Sequence, residues 1–332
     1  MRQVKIPRKV LVKHKKAFED YVERELDVLM EDYSKNSAYM AYLSCLKVNP
    51  RTKRRKSIVI CKIKELAQIV KSVVDVKEKY GTIDWKPLED DLKKLFNYSY
   101  RFVCGNNSRK WDTGQYIKSM IDSGVGYCPY CNSHPLEAYP TKRGKTHKGP
   151  LDHFFDKGTY PFLALSIYNL IPVCDQCNHE KWTKPTMLDT HSNPFYDDYH
   201  ELVSFSVVDK PLEALYGERK SLTISLCSLK KQRSNAAKRF TDDLALINRY
   251  NAGEGGRIAR EICEKGVRYR DWTIKNYLEL ANLKEISSCD VSDVCSEEFG
   301  VRPDGSDINC RPYGKLRNDL MPENVKRMCA NS

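Results

Sequence analysis

At 332 residues the chain is too long for one small module and, at about 150 residues per domain, should hold two or so packed units with a sizeable core. The 56 Lys and Arg against 44 Asp and Glu give a formal net charge of +12, which favours a polyanionic partner by electrostatic steering and counterion release. No stretch reaches the apolar length of a membrane span, the basic start MRQVKIPRKVLVKHKK lacks the apolar run of a secretory signal, and 13 cysteines without a regular framework argue against a disulfide scaffold; the expectation is a cytoplasmic protein that does not engage a membrane.

From Lys13 to about Val48, Phe18, Val22, Leu26, Leu29 and Met30 recur at the three-and-four spacing of one buried helical face, which predicts a helix, or two. The run RTKRRK (Arg51 to Lys56) interrupts it as a solvated loop or as a contact to a phosphate backbone. Ile63 to Val76 and Leu88 to Phe96 repeat the helical spacing, and a further helix runs from Thr113 to Gly124 or Gly126. Gly126 to Trp182 breaks this pattern with Gly, Pro, Asn and Cys, and its apolar pieces PLEAY, GPLDHFF and NLIPVC suit short strands. Leu202 to Val208 and Ser221 to Leu226 alternate as strands, and Lys230 to Lys265 and Arg270 to Lys284 read as two helices. The polar, turn-rich tail from Ser287 reads as loop with a short final helix. The expected organisation is α+β, with a helical region over 1–122, a central unit over 123–195, a strand and helix region over 196–286 and a polar tail over 287–332.

Chemistry concentrates in the central unit. Cys128-Pro-Tyr-Cys131 and Cys174-Asp-Gln-Cys177 are two Cys-x-x-Cys turns, the combination that supplies the tetrahedral sulfur shell structural Zn²⁺ prefers. Between them lie Leu151-Asp152-His153-Phe154 and Tyr168-Asn169-Leu170, and the second pair continues as Asn178-His179-Glu180-Lys181. The isolated Cys45, Cys61, Cys104, Cys227 and Cys263 read as buried or half-buried thiols, and His14, His191 and His200 as ordinary surface or cap residues. Tyr127, Tyr130, Phe154 and Phe155 read as the small core beside the cysteine turns. His134 and His147 are weaker candidates, and His147, in the loop KRGKTHKG, suits a backbone phosphate better than a metal.

The order Cys-x-x-Cys, Asp-His, Asn-Leu, Cys-x-x-Cys-Asn, Lys resembles the zinc-bearing HNH endonuclease motif in the variant with Asn at the last position, over Gly126 to Trp182. The resemblance implies a ββα-metal fold with two metals. The four cysteines would hold structural Zn²⁺. Asp152 and Asn178 would bind one catalytic Mg²⁺ or Mn²⁺, His153 would activate water, and Asn169 would fix the loop that aims His153. His179 competes with Asn178 for the third motif position, and a helix lets only one of them face the ion. Lys157 and Lys181 are candidate phosphate contacts, Lys181 equally a residue of the helix face. The stretch from Leu151 to Lys184 further resembles the HNH nucleases of bacterial anti-phage systems, including Septu-type and retron systems in which an ATPase is the partner; that family often has Pro where Asp156 stands. The expected substrate is DNA, with RNA as the alternative phosphodiester. A non-catalytic zinc module that binds nucleic acid or protein would need the cysteines but not Asp152, His153, Asn169 and Asn178.

Overall fold

Apolar side chains three and four residues apart become helices with one buried face. The computed structural model describes residues 1–47, 57–96, 111–140, 146–182, 184–208, 221–268, 276 and 291–330. They mix helices with small antiparallel two-stranded sheets, an α+β chain. Two compact units result, one of Lys5–Ser123 with Glu137–Tyr196, the other of Met1–Val4, Gly124–Leu136 and Asp197–Ser332. RTKRRK, Cys104 and nearly all of the helix expected at Arg270 to Lys284 lie outside the described residues. Among the described residues no helix is long and apolar enough to cross a membrane.

In the first unit, α1 (Arg8–Asp32) buries Val10, His14, Phe18, Val22 and Leu26. The chain breaks before α2 (Ser37–Lys47) because the Asn36 carboxamide accepts the Ala38 and Tyr39 N–H groups, both at 3.1 Å, and so caps a new helix. A 3₁₀ turn (Ile58–Ile60), α3 (Ile63–Lys79), α4 (Lys86–Leu95) and α5 (Thr113–Ile121) follow, α5 capped by Asp112 on Gly114 N at 2.7 Å. Then come the hairpin β1 (Ala138–Pro140) and β2 (Thr146–Lys148), the pair β3 (Leu151–His153) and β4 (Leu170–Pro172), and α6 (Asp175–Lys181).

His14, expected at the surface, is fully buried. It sits on the apolar stripe of α1, four residues from both Val10 and Phe18, and its ring meets Trp111 edge-on with centroids 4.5 Å apart. Its Nε2–H donates to the Leu165 carbonyl at 2.8 Å. Burial pushes its pKa from the ordinary 6.5 down to about 4, against the opposing pull of that carbonyl. The unfolded chain therefore takes up a proton first as pH falls, so His14 contributes stability above about pH 6.5 that is lost on the way down to about pH 4. Between pH 7 and pH 5 the expected loss from this residue is about 2 kcal/mol. Urea titrations at the two pH values check it: His14→Gln should show a pH dependence shallower by that amount.

In the second unit, β5 (Val203–Val207) pairs with β6 (Ile224–Ser228), and Phe205 stacks on Tyr250 with centroids 5.1 Å apart. The helix expected over Lys230 to Lys265 is three: α7 (Ser234–Asp243), α8 (Leu246–Ala252) and α9 (Gly255–Arg268). Ala245 in the left-handed region, φ 48°, and Gly253 make the breaks. Gly256 is required where α9 crosses the start of β6, since a Cβ would come within 2.5 Å of the Leu222 carbonyl.

The tail corrects the loop expectation. It forms α10 (Val291–Phe299), a 3₁₀ turn (Ile308–Cys310), α11 (Gly314–Leu320) and α12 (Glu323–Ala330), and buries Phe299, Val301, Ile308, Leu316 and Val325. Its polar side chains are used internally: Asn318 donates to the Arg302 and Pro303 carbonyls at 2.9 and 3.1 Å, and buried Lys315 pairs with Asp319 at 2.7 Å. Of the isolated cysteines, Cys61 is buried and Cys45 and Cys263 are half-buried, but Cys227, on the solvent side of a two-stranded sheet, is exposed.

Candidate functional site

The first cysteine turn closes when Asn132 N–H donates to the Cys128 carbonyl at 2.7 Å and Cys128 N–H to that of His134 at 2.9 Å. Asn132, φ 55°, is then locked: its amide donates to the Ile308 and Arg311 carbonyls at 3.0 and 3.2 Å and accepts Lys315 N–H at 2.9 Å. The Ser133 hydroxyl donates to Cys131 Sγ at 3.1 Å, and His134 Nδ1 lies 3.8 Å from the same sulfur. At the second turn Cys174 caps α6, its Sγ accepting Cys177 N–H at 3.4 Å. Donors aimed at sulfur favour the thiolate, the form that binds metal. The four Sγ atoms of Cys128, Cys131, Cys174 and Cys177 are buried and lie within 4.8 Å of one another. A tetrahedral zinc with bonds of about 2.3 Å sets its sulfurs roughly 3.8 Å apart, so the cluster could hold a structural metal such as zinc.

β3 and β4 pair Asp152 with Ile171 and His153 with Leu170. The loop between the strands is tied by Asn169, which is completely buried. Its Oδ1 accepts Phe155 N–H at 2.7 Å, and its Nδ2 donates to the Phe155 and Leu163 carbonyls, both at 3.1 Å. One amide thus joins both limbs of the loop, so its removal would take the Asn169 bonds from the Phe155 N–H and carbonyl and leave the Leu163 carbonyl with the Ser166 N–H at 3.1 Å. The helices of the same unit grip the loop from outside. His14 holds Leu165, Ser166 Oγ donates to the Ile58 carbonyl at 2.9 Å, and Tyr116 OH donates to that of Leu170 at 2.9 Å. Asp156 closes its own turn by accepting the Thr159 N–H and hydroxyl at 2.8 and 2.9 Å.

The loop ends on His153. Its Nε2 lies 3.1 Å from the Ala164 carbonyl, which can only accept, so Nε2 carries the hydrogen and Nδ1 is the basic nitrogen of the neutral ring. Burial first, then the charge of Lys157, push the His153 pKa from the ordinary 6.5 down to about 3. Lys181 adds to this repulsion, while the Ala164 carbonyl and Asp156 oppose it. The imidazole is neutral at pH 7.

Asp152 is buried, its Oδ1 3.0 Å from Lys181 Nζ, which also donates to the His153 carbonyl at 2.8 Å. Lys181 is only 2 % exposed. Its candidacy as a phosphate contact gives way to that of a buried counter-charge for Asp152, because the short α6 packs this face against β3. Asn178, half-buried, stands three residues before Lys181 and shares that face, while His179 is exposed and turned to Trp182. Lys157 is exposed. Phe154 and Phe155 are completely buried and meet edge-on, core as expected. His191 is buried rather than superficial, its Nδ1 accepting the Thr190 hydroxyl at 2.9 Å, and His200 is half-buried 3.7 Å from Asp319. Sequence reasoning missed the Ala164 carbonyl, which no residue type could signal, and Trp182, which stands out as a large exposed aromatic. No family model matches this chain, and neither does any curated protein or any solved structure.

Proposed function

We propose that the protein is a metal-dependent endonuclease of the HNH type that hydrolyses DNA phosphodiester bonds in defence against foreign DNA. The observation that carries the reading is the joint placement of Asp152 and His153 on one strand with Asn169 clamping the loop that orients the imidazole. A binding module has no use for that clamp. Asp152, a buried carboxylate, and Asn178, an amide on the α6 face that reaches Asp152, offer the oxygen donors a hard cation takes and would hold Mg²⁺ or Mn²⁺. Such an ion, when bound, stabilises charge on the scissile phosphate and on the departing 3′ oxygen. His153 accepts the proton of the attacking water at Nδ1, the nitrogen that the Ala164 hydrogen bond leaves unprotonated in the neutral ring, and because the 3′ oxygen departs the products carry 5′-phosphate and 3′-hydroxyl ends. Exposed Lys157 meets a phosphate of the backbone and fixes register without reading sequence. The defence role rests on the resemblance of the Leu151 to Lys184 stretch.

One observation favours the second reading, a zinc module without activity: Lys181 already neutralises Asp152. Supercoiled plasmid incubated with and without Mg²⁺ separates the two. Wild type is expected to nick and His153→Ala to be slower by about 10²- to 10⁴-fold, with equal zinc content in both proteins. Zinc in both with no cleavage of plasmid or of single-stranded RNA would leave the module reading.

A further inference from the structure

Trp182 follows Lys181 at the end of α6 and is 70 % exposed. Its backbone lies at φ 42°, ψ −124°, and Lys184 N–H closes on the Lys181 carbonyl at 2.9 Å. These are the dihedrals of the first central position in a type II′ turn, where glycine is the ordinary occupant. An L side chain there is strained, and an indole mostly in water offsets little of that strain by burial. The preceding helical turn presents His179, also exposed, with its ring edge-on to the indole at a centroid distance of 5.9 Å. Lys181, directly before Trp182, touches both Asp152 and the His153 carbonyl. Exposed Lys157 and Lys184 add positive charge on the same unit.

We infer that Trp182, with His179 set against its ring, is a stacking platform for an unpaired DNA base beside the phosphate to be cut, which makes the substrate DNA with single-stranded character rather than intact duplex. The inference rests on the nuclease reading for the position of that phosphate. Every base has a π face, so an indole grips unpaired nucleotides whatever their sequence. In a duplex those faces are already stacked on one another, out of reach of a single surface ring. The stacked ring and Lys157 then divide the work: the aromatic selects unpaired strand and the cation holds the backbone.

The test is fluorescence anisotropy with a labelled DNA single strand and with the matching duplex, without added Mg²⁺ so that cleavage plays no part and with the structural metal left in place, on the full chain carrying Trp182→Gly or Trp182→Phe. Trp182→Gly is expected to weaken single-strand binding about 5- to 100-fold while changing duplex binding by no more than about twofold. The same variant should melt at a higher temperature than wild type because the turn relaxes, whereas Trp182→Phe should keep most of the single-strand affinity. A residue with only a structural role would lose stability together with binding. Unchanged single-strand affinity in Trp182→Gly, an equal loss for both DNA forms, or a wild type that prefers duplex would each overturn the platform. Should the Trp182 pattern hold while wild type with Mg²⁺ cleaves neither plasmid nor single-stranded DNA, the nuclease reading falls and the platform stands as a binding site; the reverse result removes the platform alone.

Discussion

Removing metal from the four-cysteine cluster, or replacing Cys174 with Ser, is expected to abolish the cooperative unfolding transition or to lower its midpoint by more than about 4 °C, the shift that roughly 3 kcal/mol produces in a chain of this size. The reason is the shortness of the elements that the chain places between the two cysteine turns and at the second: β1, β2, β3 and β4 are three residues each and α6 is seven. Strands of three residues form too few hydrogen bonds and bury too little surface to persist by themselves. A structural zinc in a small finger supplies an apparent 10–16 kcal/mol near neutral pH, about as much as the whole stability of an ordinary domain, roughly 5–15 kcal/mol. Since the thiols must lose their protons to bind, the contribution shrinks as pH falls. Circular dichroism melts of the purified protein before and after treatment with a strong chelator measure the effect, with zinc content determined on the same samples. Cys45→Ser is the control, because that half-buried thiol donates to the Ala41 carbonyl one helical turn back at 3.3 Å, a bond a hydroxyl keeps, and its change should cost no more than about 1 kcal/mol. Identical melts for Cys174→Ser, chelated and untreated protein would mean that the four cysteines are merely packed thiols.

The cluster was legible because a Cys-x-x-Cys turn is a local device: two residues between the sulfurs dictate that both point one way, and the two pairs then need each other. The strands around Asp152 and Asn169 were legible for a similar reason, as short apolar pieces between Gly, Pro and Cys. What the sequence hid depends on partners far along the chain. Lys181 looked like a surface cation because most lysines are, and only the docking of α6 on β3 turns it inward to a carboxylate 29 residues earlier. Polar residues in the tail suggested solvent, yet Asn309 and Asn318 bond backbone groups and Asp319 accepts the Phe205 N–H at 2.8 Å, so their polarity serves packing rather than hydration. His14 lies on a stripe whose spacing was recognised; its burial follows once the stripe, and not the residue type, decides. Trp182 was passed over because a turn type cannot be read from a residue that the turn does not favour.

Replacing Lys181 with Met tests the most heavily buried charge pair at the site. Lys181 and Asp152 have side-chain exposures of 2 % and 6 %, so neither end can turn to water when its partner is lost. Removing one member of such a pair leaves an uncompensated charge and costs about 3–5 kcal/mol, where an exposed ion pair is worth at most about 1 kcal/mol. Lys181→Met should therefore be severely destabilised, and the second change Asp152→Asn should restore much of the loss, since the charge that lacked a partner is gone. Lys94→Met, which breaks an exposed pair with Asp91 at 2.8 Å, provides the comparison and should shift stability by less than about 1 kcal/mol. Urea titrations of wild type, Lys181→Met, Asp152→Asn and the double variant give the coupling energy between Lys181 and Asp152. Divalent cation then distinguishes the two functional readings. If Asp152 is a ligand, millimolar Mg²⁺ binds the folded Lys181→Met protein at the unpaired carboxylate and raises its melting temperature more than it raises that of wild type, and Asp152→Asn removes the gain. A carboxylate that serves only as the partner of Lys181 would give Lys181→Met the same low melting temperature with Mg²⁺ as without, and Asp152 would then be part of a structural pair in a protein that binds without cutting.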